Sequence, residues 1–182
     1  MLKLILRLAI ALSLFLGVQG AKGQFIDSGT ADPDRIGDPE PWVEPEFDAP
    51  KYPNDDDLVN VPVEPSFTFK MKVDKRSIAV KNGLTRLIYV LESKSGARNV
   101  FVDGFRCNDK HYTTYATGGP DGKLYPVAGR EWIRIDKALV HNNYRLLWFN
   151  YYLCDYHNNN RQPRDILSLV NNPDYTPDPE NK

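Results

Sequence analysis

The 182-residue chain has few of the residues that most often carry out chemistry in proteins, with only two cysteines and three histidines. It contains no G-x-S-x-G, H-E-x-x-H, P-loop or paired-carboxylate motif. These absences argue against the common hydrolase, metalloprotease and nucleotide-binding classes. We therefore expect a protein without a cofactor and, in the first instance, without catalytic activity.

Long apolar runs are also missing. The longest uncharged apolar stretch is residues 8–18, which is well short of the roughly 20 residues needed to span a bilayer as a helix. It follows Lys3 and Arg7 and is followed by small residues, an order that predicts a signal peptide over residues 1–23 and disfavours a membrane anchor. We expect a soluble periplasmic protein with no transmembrane anchor after cleavage. No cysteine lies near the predicted cleavage site, so no lipid anchor is expected.

Charge and proline are unevenly distributed along the chain. Residues 24–65 contain 12 acidic residues, two basic residues and eight of the 14 prolines, whereas residues 66–182 contain 12 acidic and 18 basic residues. The first segment has too little apolar content to build a core and is predicted to be an extended acidic arm. Such an arm can be a solvated spacer, can lie across the basic domain, or can bind a partner itself.

Residues 66–170 have the length of one compact domain, followed by a frayed tail at 171–182. Residues 67–74 alternate apolar and polar side chains, which predicts a half-buried strand. Asn82-Gly83 lies between two apolar runs and favours a tight hairpin. Both faces are apolar over residues 87–91, so this strand is predicted to be central and covered on both sides.

The next predicted strands cover residues 99–107 and 110–117, giving an antiparallel meander of four or five strands with the earlier ones. Gly104, in mid-strand, indicates a bulge or a close approach by another group. Further on, one helical stripe is formed by apolar residues spaced by four, three, four and three positions: Val140, Tyr144, Leu147, Tyr151 and Cys154.

The aromatic content of this segment leaves a strand over 146–153 as an alternative. A short last helix is predicted at residues 162–170, with Pro163 in its first turn. The fold class is therefore α+β, a meander with a helix packed on it and the extended arm before it.

Cys107 ends a predicted core strand and Cys154 ends the inward stripe of the predicted helix. Two cysteines in an exported chain predict a disulfide that tethers the helix, and closing a loop of about 48 residues stabilises by about 4 kcal/mol. Two alternatives compete with this prediction. One is a zinc site of both cysteines with His111 and His157, although residues 107 and 111 on one strand would lie about 13 Å apart. The other is a catalytic cysteine, which needs a neighbouring base and a way to remain reduced.

The basic domain offers a candidate binding surface for anionic cell-wall or lipid groups or for a periplasmic protein partner. Its members are Arg98, Arg106, Lys110, Arg130 and Arg134. The competing interpretation is a solvated sheet face. Export and the acidic mature charge disfavour nucleic acid as a partner.

An enzyme that uses His111 with Asp109 or Asp103 is the alternative function. It predicts a concave pocket that contains this histidine and a carboxylate, whereas a binding module predicts a flat basic or aromatic patch.

The segments SGARNV (95–100), GFRC (104–107) and WIRI (132–135) resemble the cryptic neisserial protein-like family, small exported bacterial proteins that include many lipoproteins. The resemblance extends from about residue 42 to residue 154. It implies a periplasmic location and a single compact domain, and it implies no activity. This chain differs from the lipoprotein members because it lacks their lipid-attachment cysteine.

Overall fold

The structure, a computed structural model, describes residues 41–48, 50–135 and 143–177. The predicted signal peptide, the first part of the arm, Val140 and residues 178–182 lie outside these ranges. The chain divides into two compact units, Met1–Trp42 and Val43–Lys182, and the account below concerns the second. Within the described ranges, no helix combines the length and the apolar character needed to cross a membrane.

The described part of the second unit contains an eight-stranded antiparallel sheet with the order β1-β2-β4-β5-β6-β7, in which β3 also pairs with β4 and β8 with β6. The strands are β1 (Leu58–Val61), β2 (Lys70–Asp74), β3 (Ala79–Lys81), β4 (Leu84–Glu92), β5 (Arg98–Arg106), β6 (His111–Gly118), β7 (Leu124–Pro126) and β8 (Ile133–Arg134). The predicted meander is confirmed as β2 to β6. Three short strands that the sequence did not indicate extend it: β1, β7 and β8.

The turn chemistry is as predicted. Asn82 and Gly83 have φ angles of 49° and 71°, the positive values that a type I′ hairpin turn requires between β3 and β4. β4 is buried along almost its whole length. Leu87 contributes to the core on one face of the sheet and Ile88 to the core on the other, so the predicted two-sided central strand is confirmed.

The sheet begins earlier than residue 66, where the sequence predicted the compact domain to start. Leu58–Val61 forms an edge strand that pairs with β2, with Leu58 opposite Asp74 and Val61 opposite Met71. Four residues in an acidic, proline-rich setting carry no strand signal of their own. Their conformation is determined by the hydrogen bonds that β2 offers at the sheet edge.

Within the described ranges, two helical segments form the second layer. Helix α1 (Asn143–Leu147) continues directly into a wider π-helical turn, Trp148–Leu153, after which Cys154 is extended. The predicted helix is thus confirmed over its described part, and the alternative strand at 146–153 is wrong. Helix α2 (Pro163–Val170) begins with its proline, as predicted.

The two faces of the sheet are covered differently. The helix face packs against α1, the π-helical turn and α2, and it includes the largest buried side chains, among them Trp148, Tyr89 and Tyr152. The opposite face carries a smaller core of Ile88, Val90, Val100, Val102, Tyr115 and Ala116. Residues 43–48, which we call the strap, lie against this opposite face through the contacts described below. We call this side of the sheet the strap face.

A β-bulge lies between β5 and β6. Val102 pairs with Ala116 but Asp103 pairs with Thr114, which leaves Tyr115 as an extra residue. Its ring lies over Gly104, where an added Cβ would approach Tyr115 Cε2 to 2.7 Å. The close approach predicted at Gly104 is therefore confirmed.

Candidate functional site

The two cysteines form a disulfide. Cys107 follows β5 and Cys154 follows the π-helical turn, their Cα atoms are 5.6 Å apart, and both residues are buried. The bond ties the end of the central sheet to the helix layer, as predicted. Because both sulfur atoms are used in it, the zinc-thiolate and catalytic-cysteine alternatives are wrong for this state of the protein.

The five predicted basic residues do not form one patch. Arg98 and Arg106 lie at opposite ends of β5, about 26 Å apart at the usual rise per residue. Arg106 is opposite His111, which is in turn opposite Arg134 of β8, and Lys110 precedes His111 in the turn. Arg106, Lys110 and Arg134 therefore share one end of the sheet. Arg106 also pairs there with Asp109.

The other two basic residues are engaged by the acidic segment. Arg98 Nη2 donates to Asp55 Oδ1 at 2.8 Å, and Arg98 lowers the pKa of this exposed carboxyl by hydrogen bonding and charge. Arg130 Nη2 donates to Glu44 Oε1 at 2.8 Å. The described part of the acidic arm therefore contacts the basic domain at two separate places.

The Glu44 carboxylate occupies a site made by Arg86, Tyr115 and Arg130, which we call the cradle. Its Oε1 accepts hydrogen bonds from Tyr115 Oη at 2.7 Å and from Arg130 Nη2 at 2.8 Å. Arg86 Nη2 is 3.6 Å from the same oxygen. Burial is the main reason that the pKa of Tyr115 rises to about 12.

Arg86 is the centre of the cradle. It is only 7% exposed, on the central strand β4. Its Nη2 donates to the carbonyl of Pro45 at 2.5 Å and its Nη1 to the carbonyl of Glu46 at 3.1 Å. The guanidinium carbon lies 4.6 Å from the ring centroid of Phe47 and 5.0 Å from that of Tyr115. A buried guanidinium requires such partners, so the strap neutralises a charge that the sheet buries.

A cleft of about 690 Å³ opens between α1 and the loop that joins β1 to β2. We call it the aromatic cleft, after its lining residues Phe67, Phe69, Phe101, Tyr144 and Tyr151. Polar groups also line it, among them Asn99 and Asn150. A second cavity of about 880 Å³ adjoins it and shares Phe67 and Phe69. Its charged lining residues are Lys70, Lys72, Lys94, Glu64 and Glu92.

The residues of the alternative enzyme hypothesis lie elsewhere. His111 Nδ1 is 3.4 Å from Asp109 Oδ1, and neither residue lines the aromatic cleft or the adjoining cavity. Asp103 is completely buried on the helix face. The aromatic cleft is concave, as the enzyme hypothesis predicted for its pocket. Its lining is aromatic, as the binding hypothesis predicted for its patch.

Asp103 belongs to a buried network that joins the sheet to α1. Its Oδ2 accepts hydrogen bonds from Arg145 Nε at 2.7 Å and from Tyr89 Oη at 2.5 Å, and Arg145 Nη2 donates to Thr114 at 2.9 Å. Burial, followed by the Asp103 charge, raises the pKa of Tyr89 well above its ordinary value. We interpret the network as structural, because an ion pair with fixed geometry aligns α1 on the sheet.

Sequence reasoning missed the cradle and the aromatic cleft. An arginine inside the apolar strand LTRLIYVL was the available signal for the cradle, because a buried cation must have an anionic partner. A second signal is the pattern V-E-P-x-F, which occurs at residues 43–47 and again at 63–67. The first copy lies in the cradle, and the second lies in the loop beside the aromatic cleft.

The model of the CNP1-like family, whose function is uncharacterised, matches residues 37–171. No curated protein and no solved structure matches the chain. The match covers the strap, the whole described sheet, the disulfide and both helices. The chain therefore belongs to the CNP1-like family, as its resemblance to the cryptic neisserial proteins predicted.

Proposed function

We propose that the protein is exported to the periplasm and acts there as a non-catalytic binding protein for an amphiphilic component of the cell envelope. The aromatic cleft is the observation that carries this proposal. Its volume of about 690 Å³ lies within the range of small-molecule sites, which are concave and mostly apolar with a few convergent polar groups.

The apolar part of the ligand would lie along the aromatic side chains. Phe101 and Tyr144 are stacked with their ring centroids 5.5 Å apart, and Tyr144 also packs near Tyr89. One wall of the cleft therefore rests on the buried core of the helix face. A rigid aromatic wall favours an acyl chain because it gains contact area and loses little side-chain entropy on binding.

The charged part of the ligand would be anionic. Lys70 and Lys94 line the adjoining cavity and are exposed, whereas Lys72 is already paired with Glu92 at 3.1 Å. An anionic lipid headgroup matches these two ammonium groups, and the predicted signal peptide would deliver the protein to a compartment bounded by such lipids.

Binding without catalysis is favoured by the chemistry of the lining. Asn99, Asn150 and Thr68 line the cleft, and their side chains form hydrogen bonds without changing protonation near neutral pH. Such groups orient a ligand but do not supply a general acid or base. Glu64 is the one carboxylate among the described lining residues, and neither a histidine nor a second carboxylate accompanies it in that lining.

Calorimetric titration of the full protein with two lysophospholipids, kept below the concentrations at which they form micelles, tests the proposal. We expect lysophosphatidylglycerol to bind more tightly than lysophosphatidylcholine, which has the same tail and no net charge. Asn150→Trp fills the cleft and should abolish binding of both. Lys70→Glu with Lys94→Glu should remove only the preference for the anionic lipid, and Lys123→Glu, on an exposed turn, should change neither affinity. Unchanged binding to a folded Asn150→Trp variant would contradict the proposal.

A further inference from the structure

The strap is held in the manner of a bound peptide. Residues 43–48 form no helix or strand. The hydrogen bonds that the described residues give to the strap backbone come from the Arg86 side chain, at the carbonyls of Pro45 and Glu46. The remaining polar contacts go to the Glu44 carboxylate. Such a segment can leave the sheet without breaking any strand pairing.

The cradle has the chemistry of a carboxylate receptor. Two guanidinium groups and one phenolic hydroxyl converge on one carboxylate. Tyr115 and Arg130 donate charge-assisted hydrogen bonds to it, which are stronger than neutral ones, and Arg86 adds an ion pair at 3.6 Å. Arg86 Nε is buried and has no hydrogen-bond partner among the described residues. The site therefore retains donor capacity beyond what the strap uses.

The contacts distinguish the positions of the strap. The side chain of Glu44 is bound through its carboxylate, Pro45 is buried, and the ring of Phe47 lies 4.7 Å from that of Tyr115. Glu46 contributes its carbonyl oxygen and has an exposed side chain. The cradle thus matches a Glu-Pro-x-Phe pattern in which the side chain of the third residue is exposed and is not selected.

We propose that the cradle is a docking site for a Glu-Pro-x-Phe segment of another polypeptide, and that the strap is its internal competitor. This inference does not depend on the lipid-binding proposal, because the cradle lies on the strap face and the aromatic cleft on the helix face. The partner is an acidic, proline-containing peptide, since the cradle complements a carboxylate, a proline and an aromatic ring at this spacing.

The test uses a fluorescently labelled decapeptide with the sequence of residues 41–50, added to the full-length protein. The Glu44→Gln substitution weakens the binding of the strap to the cradle. We expect this variant to bind the peptide at least about tenfold more tightly than the wild-type protein does, because the state with an empty cradle is more populated. Fluorescence anisotropy gives both affinities, and thermal unfolding verifies that the variant is folded.

Peptide substitutions test the pattern. Replacing the peptide's Glu46 by serine reproduces the V-E-P-S-F sequence found at residues 63–67 and should leave the affinity within about twofold, since the third side chain is exposed. Replacing the peptide's Glu44 by glutamine should weaken binding by about tenfold or more, because a charge-assisted interaction is lost. Arg130→Ala, introduced with Glu44→Gln in the protein, should weaken binding of the unmodified peptide to a similar degree.

Two results would overturn the proposal. The first is no binding to the folded Glu44→Gln variant, or equal losses of affinity for the two substituted peptides, Glu46→Ser and Glu44→Gln. The second is a concentration-dependent dimer of the wild-type protein that Glu44→Gln abolishes, which would make a second copy of this chain the occupant of the cradle.

Discussion

The helix face and the strap face cover the same sheet by different physical means. On the helix face, 20 buried residues of the described ranges form one core, which contains the disulfide and an ion pair whose Asp103 is wholly buried. On the strap face, six buried residues form the core, and part of its cover is a segment held around one glutamate. The helices and the strap therefore differ in the interactions that hold them to the sheet and in the number of residues that they help to bury.

This difference indicates which face can change during function. Opening the helix face would expose large aromatic side chains and is restricted by the covalent bond, so it approaches global unfolding. Opening the strap face requires the release of the contacts that Arg86, Tyr115 and Arg130 make with the strap, and it breaks no strand pairing and no covalent bond. Local opening of low free energy is characteristic of binding surfaces.

The largest effect is expected from breaking the buried ion pair on the helix face. Arg145→Met leaves the Asp103 carboxylate buried without its cation, and we expect the free energy of unfolding to fall by about 3–5 kcal/mol. Urea denaturation measures this loss. Arg164→Met on α2 is the matched control, since that side chain is 88% exposed and its loss should cost less than about 0.5 kcal/mol.

The double variant Asp103→Leu with Arg145→Met should be more stable than Arg145→Met alone, because it removes the unpaired charge. If the single variant lost less than about 1 kcal/mol, the network would not be what holds α1 on the sheet.

A smaller loss is expected from removing the disulfide. The two cysteines are 47 residues apart, and replacing both by serine should cost up to about 4 kcal/mol through the entropy of the unfolded chain. Chemical reduction of the wild-type protein should give the same denaturation midpoint as the double variant. The losses of stability from Glu44→Gln and from the cysteine double variant should add when the changes are combined, because the two faces are independent; a non-additive result would show that they are coupled.

The smallest expected effect is a loss of stability at alkaline pH, which can be followed through one tyrosine on each face. Burial raises the pKa values of Tyr115, on the strap face, and Tyr144, on the helix face, to about 12 from the ordinary value of 10.0. Because the folded values are the higher ones, the stabilisation is fully present below pH 10 and is lost as the pH rises towards 12.

Releasing the strap by Glu44→Gln should lower the pKa of Tyr115 towards its ordinary value and leave that of Tyr144 unchanged. The near-ultraviolet absorbance of tyrosinate, with Tyr115→Phe and Tyr144→Phe as assignments, measures both. Equal shifts at the two tyrosines would show that the faces are coupled.

Much of the fold was predictable because its signals are local. The Asn82-Gly83 turn, the two-sided apolar pattern of β4 and the proline that begins α2 each act within a few residues. The disulfide was predictable for a different reason, since two cysteines in a chain that is predicted to be exported have one possible intramolecular pairing.

The strand β1 and the two candidate sites were not predictable in this way. Leu58–Val61 becomes a strand only because β2 lies beside it, and the aromatic cleft is formed by Phe67, Phe101 and Tyr144, which are distant in sequence. The cradle joins Glu44 to Arg86 and Arg130 across 42 and 86 positions of the chain. Such contacts follow from the tertiary arrangement, which composition and periodicity do not encode.

The bulge at Tyr115 has a consequence for how the docking surface could be gained or lost. Because the register is regular on both sides of this residue, deleting it would restore an uninterrupted ladder between β5 and β6. The deletion would also remove the hydroxyl that binds Glu44 and the ring that contacts Phe47. A deletion of one residue would thus keep the sheet and remove the cradle's hold on both the glutamate and the phenylalanine of the strap.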